Sequence, residues 1–306
     1  MSVGLGALRP QGLFTRRLTP RMLLRRAAAN RTASTAGAVL LAVVVVVLLA
    51  PLIAPYGPTT FGTDTLAGPS WKHLFGTDQF GRDILSRVLW GGRLTLVTAV
   101  AGVAISVAVG VPLGLLAGYS SRWISSVIMR CMDVLLAFPG LLLALVIVTI
   151  LGRGLGNVIV AIGVSYIPVF ARIVYASTLA ARGKEYVLAV RVMGARAARI
   201  MGRHILPNVT QQIVVLATSA IGWAILLAAV LNFLGFGVKL PTAEWGADLS
   251  AGREWLGPAW WISTFPGVAI AITILAVNFL GDSVGGSAID ARVIEEPTST
   301  VAEPAS

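Results

Sequence analysis

Charge is scarce in this chain. Of its 306 residues only 12% are Asp, Glu, Lys or Arg, and 56% are hydrophobic. A soluble globular domain carries about 25% charged residues. An apolar excess of this size cannot be hidden in one core, so a water-soluble fold is set aside and a second apolar phase is required. Acids are scarcer than bases, 13 against 24. The single cysteine, Cys131, excludes an internal disulfide. The two histidines, His73 and His204, lie far apart, and no metal-ligand spacing exists. The three lysines are Lys72, Lys184 and Lys239, and none stands in G-x-x-x-x-G-K-[ST]. Gly183-Lys184-Glu185 is the nearest approach and fails at its last position, so the chain carries no P-loop. The alternation of a membrane β-barrel is also missing.

What is present is a series of charge-free runs: 32–63, 94–121, 134–152, 154–171, 204–238 (neutral His204 apart) and 255–281. A helix needs roughly 20 apolar residues to cross a hydrocarbon core about 30 Å thick. One charge at the centre of a span would cost roughly 2.5–3.5 kcal/mol. The runs therefore predict six transmembrane helices, near 36–54, 94–118, 128–150, 155–174, 210–233 and 262–281, in an all-α membrane protein. Gly and Ala are dense in them, and small residues let helices approach closely in lipid. Pro112, Pro139, Pro168 and Pro266 lie in or near spans and predict kinks.

The net charge of +11 follows topology. Residues 1–35, 119–130, 172–208 and the C-terminal tail hold seventeen basic residues, against seven in the intervening segments. This asymmetry predicts cytoplasmic N- and C-termini. The first apolar stretch is too long for a signal peptide and lacks an A-x-A-like site, so it reads as a retained span. The expected organisation is a basic cytoplasmic N-tail (1–35), a first transmembrane helix (36–54) and an outer segment with an interfacial helix (55–93). A five-helix core (94–284), including a cytoplasmic loop (178–208), and a C-terminal tail (285–306) follow.

In the outer segment, Gly76-Thr77-Asp78 predicts a turn and a helix N-cap. Phe80, Ile84, Leu85, Val88 and Leu89 then form an apolar stripe, with Arg82, Asp83 and Arg87 off it. Asp78, Arg82 and Asp83 have two readings, structural hydrogen bonding or contact with a substrate. Trp245, Trp255, Trp260 and Trp261, in the second outer loop, have the composition of an aromatic interface belt; contact with an outer partner protein is the alternative. Asp133, Asn278 and Asp282 are among the few polar groups near spans, close to their ends, and read as structurally paired.

The stretch "EYVLAVRVMGARAARIMGRHILPN" (185–208) is basic and sits between two spans. On a helical wheel Val190, Met193, Ala197, Ile200, Met201 and His204 share a third of the circle, beside Arg196, Arg199 and Arg203. Gly194 divides the segment into two short helices, and Pro207 sets the start of the fifth span. From the residues alone three readings stand: an interfacial anchor, a helix docking into a groove of a cytoplasmic partner, and nucleic-acid contact.

This segment resembles the cytoplasmic "EAA" loop of permease subunits in ABC importers. Leu188-Ala189-Val190 occupies the opening triplet, Gly194 the glycine and Leu206-Pro207 the end. The triplet's acid is replaced by Leu188, its second alanine by Val190, and the nearest acid is Glu185. Three further stretches, 76–96, 132–145 and 266–284, together with this one are similar to the second permease subunit of dipeptide and oligopeptide importers.

The resemblance implies a type I ABC importer permease fold in a bacterial inner membrane. It implies pairing with a homologous permease subunit as a heterodimer, two ATPase subunits, an external substrate-binding protein and a peptide substrate. ATP and Mg would reside on the ATPase subunits, with no cofactor and no catalysis on this chain. Glu185, Leu188, Ala189, Val190, Gly194, Arg196, Ile200, Arg203, Leu206 and Pro207 become the expected ATPase-coupling residues. Asp78, Arg82, Asp83 and Trp245 remain the outer-side candidates. An ion-gradient-driven transporter would need a midplane ionisable residue, and the sequence offers none. An anchor or assembly subunit without a transport role is the other alternative.

Overall fold

A computed structural model describes residues 31–293. Its helices are α1 (Arg31–Leu48), α2 (Ala50–Ile53), α3 (Ile84–Tyr119), α4 (Arg122–Leu136), α5 (Gly140–Leu151) and α6 (Leu155–Arg182). They continue as α7 (Glu185–Val192), α8 (Ala197–Ile200), a π-helical turn (Met201–Ile205), α9 (Leu206–Phe233), α10 (Trp245–Gly252) and α11 (Trp261–Val293). Among the described residues there is no strand, only an isolated bridge between Thr77 and Asp83.

Four helices are long and apolar enough to cross a membrane: Ile84–Tyr119, Leu155–Arg182, Ala197–Phe233 and Trp261–Ser283. A fifth crossing is available if α4 and α5 count as one span, and Thr32–Leu48 is a shorter apolar helix. The chain is an integral membrane protein. The expected tails, 1–35 and 285–306, fall mostly outside the described residues, although α1 begins at Arg31 and α11 runs to Val293.

Two expected boundaries are corrected. The interfacial helix of the outer segment and the second span are one helix of 36 residues, α3, about 54 Å long at 1.5 Å per residue. No helix breaker separates them, and Gly91-Gly92 is tolerated because both glycines are buried under Trp245 and Glu244. The third span, expected over 128–150 with a kink at Pro139, is two helices bent by as much as 90° around Ala137-Phe138-Pro139. Pro139 removes a donor and disfavours helix at Phe138, and Gly140 follows at once, so two poor helix formers are adjacent. Pro112, Pro168 and Pro266 stay inside continuous helices.

The core is built on the parallel pair α3 and α6, whose contacts advance together along both helices. Gly102, Gly110, Gly114 and Gly118 of α3 face Ile162, Phe170, Val174 and Thr178 of α6 so closely that a Cβ at any of them would collide. Gly163 returns the arrangement, lying under Ile105, while the Ser106 hydroxyl donates to the Gly163 carbonyl at 2.8 Å. In lipid, where apolar association gains little, this backbone proximity supplies the packing. Helix α9 lies against α11 with Gly222 beside Asn278, so this polar group near a span end sits at a helix–helix contact.

Candidate functional site

The long α3 has two functional ends. At its last turn the chain meets the basic loop. The Arg182 guanidinium donates to the Gly118 carbonyl at 3.1 Å, and Arg191 lies 5.3 Å over the Tyr119 ring. Val187, Ile200 and Ile205 are fully buried and seat the loop on the bundle. The Asn208 side chain donates to the Tyr186 hydroxyl at 3.1 Å and to the His204 carbonyl.

Helix α7 ends at Val192. Gly194 then adopts φ +79°, a left-handed conformation costly for any side chain, and α8 begins at Ala197. A single helical wheel through both pieces therefore fails. Met193, expected beside Val190, is 76% exposed, while Val190 and Met201 pack on the core. Val192 is 87% exposed, and Tyr186, Leu188, Ala189, Arg196 and Arg203 also face outward, as do Glu185, Gly194 and Pro207. Leu206 is half-buried and Ile200 fully buried. The loop thus presents an apolar patch, Tyr186-Leu188-Val192-Met193, rimmed by arginines.

At the other end of α3 lies a buried polar clamp. Asp83 is the N-cap of α3, not Asp78: its carboxylate accepts from the Ser86 amide at 2.8 Å and from the Ser86 hydroxyl. Its second oxygen lies 3.0 Å from His73 Nδ1. Asp78 instead accepts from the Phe80 and Arg82 amides and from Arg82 Nε at 2.6 Å. Arg82 and Arg87, expected off the packed stripe, are 2% and 1% exposed. Burial pushes the Arg82 guanidinium down, and neighbouring Arg87 adds to the effect.

Arg87 ties three distant segments together. It pairs with Asp248 through Nε and Nη2, and Nη1 donates to the carbonyls of Pro58 at 2.8 Å and Pro241 at 3.0 Å. Glu244 caps α10, accepting from the Ala247 amide at 2.8 Å and from the Thr95 hydroxyl at 2.7 Å. Burial pushes the Glu244 carboxyl up to about 7 and the Asp248 carboxyl up to about 6, against the pull of Thr95 and Arg87 respectively.

Trp245, expected in an interface belt, is 1% exposed, and its indole donates to the Val88 carbonyl at 2.7 Å. Trp261 is likewise buried, with its indole on the Thr77 carbonyl. Only Trp260 of that pair stays half exposed. Asp78, Arg82 and Asp83 thus make local bonds at the start of α3, while Trp245 packs further along it against Val88, Gly91 and Gly92. Sequence reading missed Arg87, Glu244 and Asp248, because their partners are brought near only by the fold.

The arrangement contains no P-loop and, among the described residues, no group of side chains that could hold a metal ion. Residues 110–293, well over half of the chain, match the family described as binding-protein-dependent transport system inner membrane component. The chain belongs to this family. Residues 21–69 match the N-terminal TM domain of oligopeptide transport permease C.

Among relatives, the di/tripeptide transport system permease protein DppC of Pseudomonas aeruginosa is 43% identical over 242 residues, 77% of this chain and 80% of that protein. The glutathione transport system permease protein GsiD of Pectobacterium atrosepticum is 45% identical, covering 71% of this chain and 72% of its own length. The dipeptide permease DppC of Alkalihalophilus pseudofirmus is 43% identical over 72% of this chain and 73% of itself. In fold, the chain is similar to a structure of the MetNI methionine ABC transporter in inward-facing conformations, with a TM-score of 0.55 at 19% identity over 67% of this chain and 97% of that one. The chain is thus a permease component of an ABC importer.

Proposed function

We propose that this chain forms half of the passage of an ATP-driven importer of short peptides in a bacterial inner membrane, and that residues 185–207 receive the motion of an ATPase subunit. Relatives named for dipeptides, di/tripeptides and glutathione support the substrate class. The carrying observation is the loop at the foot of α3 and α6, seated through Val187, Ile200 and Ile205 while its outer face is left apolar and cationic. An apolar helix face of this size fits a groove in a partner. Its attachment to Tyr119 and Gly118 would pass a tilt of the loop to both central helices as one body.

The complex then holds a homologous permease, two ATPase subunits carrying ATP and Mg, and an external binding protein that delivers substrate. The termini and the basic loop lie in the cytoplasm, and the clamp faces outward. ATP binding closes the ATPase pair and shifts the permease population by its preference for the closed state. The test is co-purification of the ATPase subunits with variants Leu188→Asp and Met193→Asp. Loss of the ATPases with the permease pair intact is the expected result. Full retention, with transport unchanged, would sink the coupling role.

A further inference from the structure

Helix α4 has three different faces. Met129, Met132 and Leu135 pack inward with Leu113, Val164, Ile167 and Ala171. Trp123, Val127 and Val134 are apolar and exposed. Arg122, Ser126, Arg130 and Asp133 recur at helical spacing on the remaining face, and all four are exposed. Arg172 of α6 completes this row by donating to Asp133, the two side chains being 54% and 52% exposed. Among the described residues neither Arg122 nor Arg130 belongs to an ion pair. The row climbs toward the 90° bend at Pro139.

A row of charges leading into a span does not face acyl chains, where each charge costs roughly 2.5–3.5 kcal/mol. Broken backbone within a membrane is tolerated only inside protein or along a water-filled cavity. Helix α5, 12 residues and about 18 Å long, is too short to cross alone, so a crossing built from α4 and α5 together would put the bend within the membrane's depth.

We propose that this face of α4 lines the water-filled substrate passage, and that Asp133 and Arg172 exchange their mutual bond for the ammonium and carboxylate ends of a passing short peptide. The inference rests on the transport reading above. An exposed ion pair is worth only about 0–1 kcal/mol, so it opens readily. The planar guanidinium matches a carboxylate in a way a point charge does not. Arg122 and Arg130 give the row a net positive charge, which draws carboxylates toward it.

The first test uses single cysteines in a Cys131→Ser chain within the intact complex in vesicles. The probe is a membrane-impermeant sulfonated methanethiosulfonate, with labelling read on this chain by mass. Ser126→Cys and Arg130→Cys are expected to label, several-fold differently with and without trapped ATP. Val127→Cys and Val134→Cys are expected to stay unlabelled. Labelling of all four or of none, or labelling of the first two that ignores nucleotide, as lipid headgroup contact would give, overturns the proposal.

The second test is peptide uptake by the reconstituted complex. Arg172→Gln is expected to raise KM about tenfold for a dipeptide with a free carboxylate and to leave its C-terminal amide unaffected. Asp133→Asn is expected to do the same for the free amine relative to the N-acetyl form. Equal losses for every peptide would reduce the pair to a brace and overturn the assignment. Absence of peptide uptake by the unaltered complex would instead count against the transport reading, since the labelling pattern is read without it.

Discussion

Arg87 and Asp248, separated by 161 positions in sequence, form a fully buried ion pair that joins the first turn of α3 to α10. One Asp248 oxygen takes both guanidinium contacts, and the other has no hydrogen-bond partner. The pair thus holds a loop between two spans against the start of the longest helix. Removing one partner of such a pair costs about 3–5 kcal/mol, because the other charge stays buried and alone. Arg87→Met or Asp248→Leu should each lower the thermal midpoint of the purified complex markedly. The double variant should lose less than the sum of the two, and additive losses would show that the pairing is not what matters.

Acid should tighten the same clamp. Burial raises the Glu244 carboxyl to about 7 in the folded state from an ordinary value of 4.5, so the native form binds more protons than the unfolded form between those values. Stability therefore falls as pH rises from about 4.5 to 7 and is lowest once Glu244 is ionised. Hydrogen exchange of residues 240–252 is the measurement. Protection should be greater at pH 5 than at pH 8, and Glu244→Gln should flatten most of the difference.

The helical glycines divide into sites that tolerate a side chain and sites, such as those of α3, that do not. A Cβ at Gly114 would lie 2.6 Å from the Ala171 carbonyl oxygen and 2.7 Å from Val174 Cβ. At Gly140, beside the bend between α4 and α5, it would meet nothing within 4 Å. Overpacking costs about 1–3 kcal/mol, more where backbone is the obstacle. Gly114→Leu should abolish monodisperse protein in detergent, whereas Gly140→Ala should purify like the parent by size-exclusion chromatography.

Gly194 tests the loop's conformation separately from its surface. Nothing lies within 4 Å of it, so a side chain there meets strain and no collision. Gly194→Ala should cost about 1–2 kcal/mol of local order, and Gly194→Asn less, since Asn visits the left-handed region more readily. Peptide-stimulated ATP hydrolysis should follow the order Gly, Asn, Ala. Equal rates in all three would mean that the turn between α7 and α8 has no part in coupling.

Loss of the α3 cap is the simplest case. Asp83→Ala strips the Ser86 amide and hydroxyl and His73 of their acceptor. N-cap removal typically costs about 1 kcal/mol and at most about 2. Proteolysis between residues 56 and 83 should accelerate several-fold, while the rest of the complex keeps its thermal midpoint.

Much of this molecule was legible one residue type at a time. The helix pieces flanking Gly194 followed from local rules, because backbone strain is a property of neighbours in sequence. The start of α9 at Leu206-Pro207 followed for the same reason. The buried clamp was not legible. Arg82, Asp83 and Arg87 are polar residues on a helix beside water, and nothing local says that Pro58, Pro241 and Asp248 will close over them. Trp245 shares its residue type with interface tryptophans, and only its packing against Gly91, Gly92 and Val88 decides that it is core.

The sequence by itself determined the solvent. Charge-free runs of span length cannot be hydrated at tolerable cost, so a membrane protein follows whatever the packing. It also determined that none of the three lysines stands in a G-x-x-x-x-G-K-[ST] phosphate-binding motif. The tertiary structure decided where the broken span bends, which charges are buried, and which faces stay open. These depend on pairs of residues far apart in the chain, whose energies exist only after the helices have met.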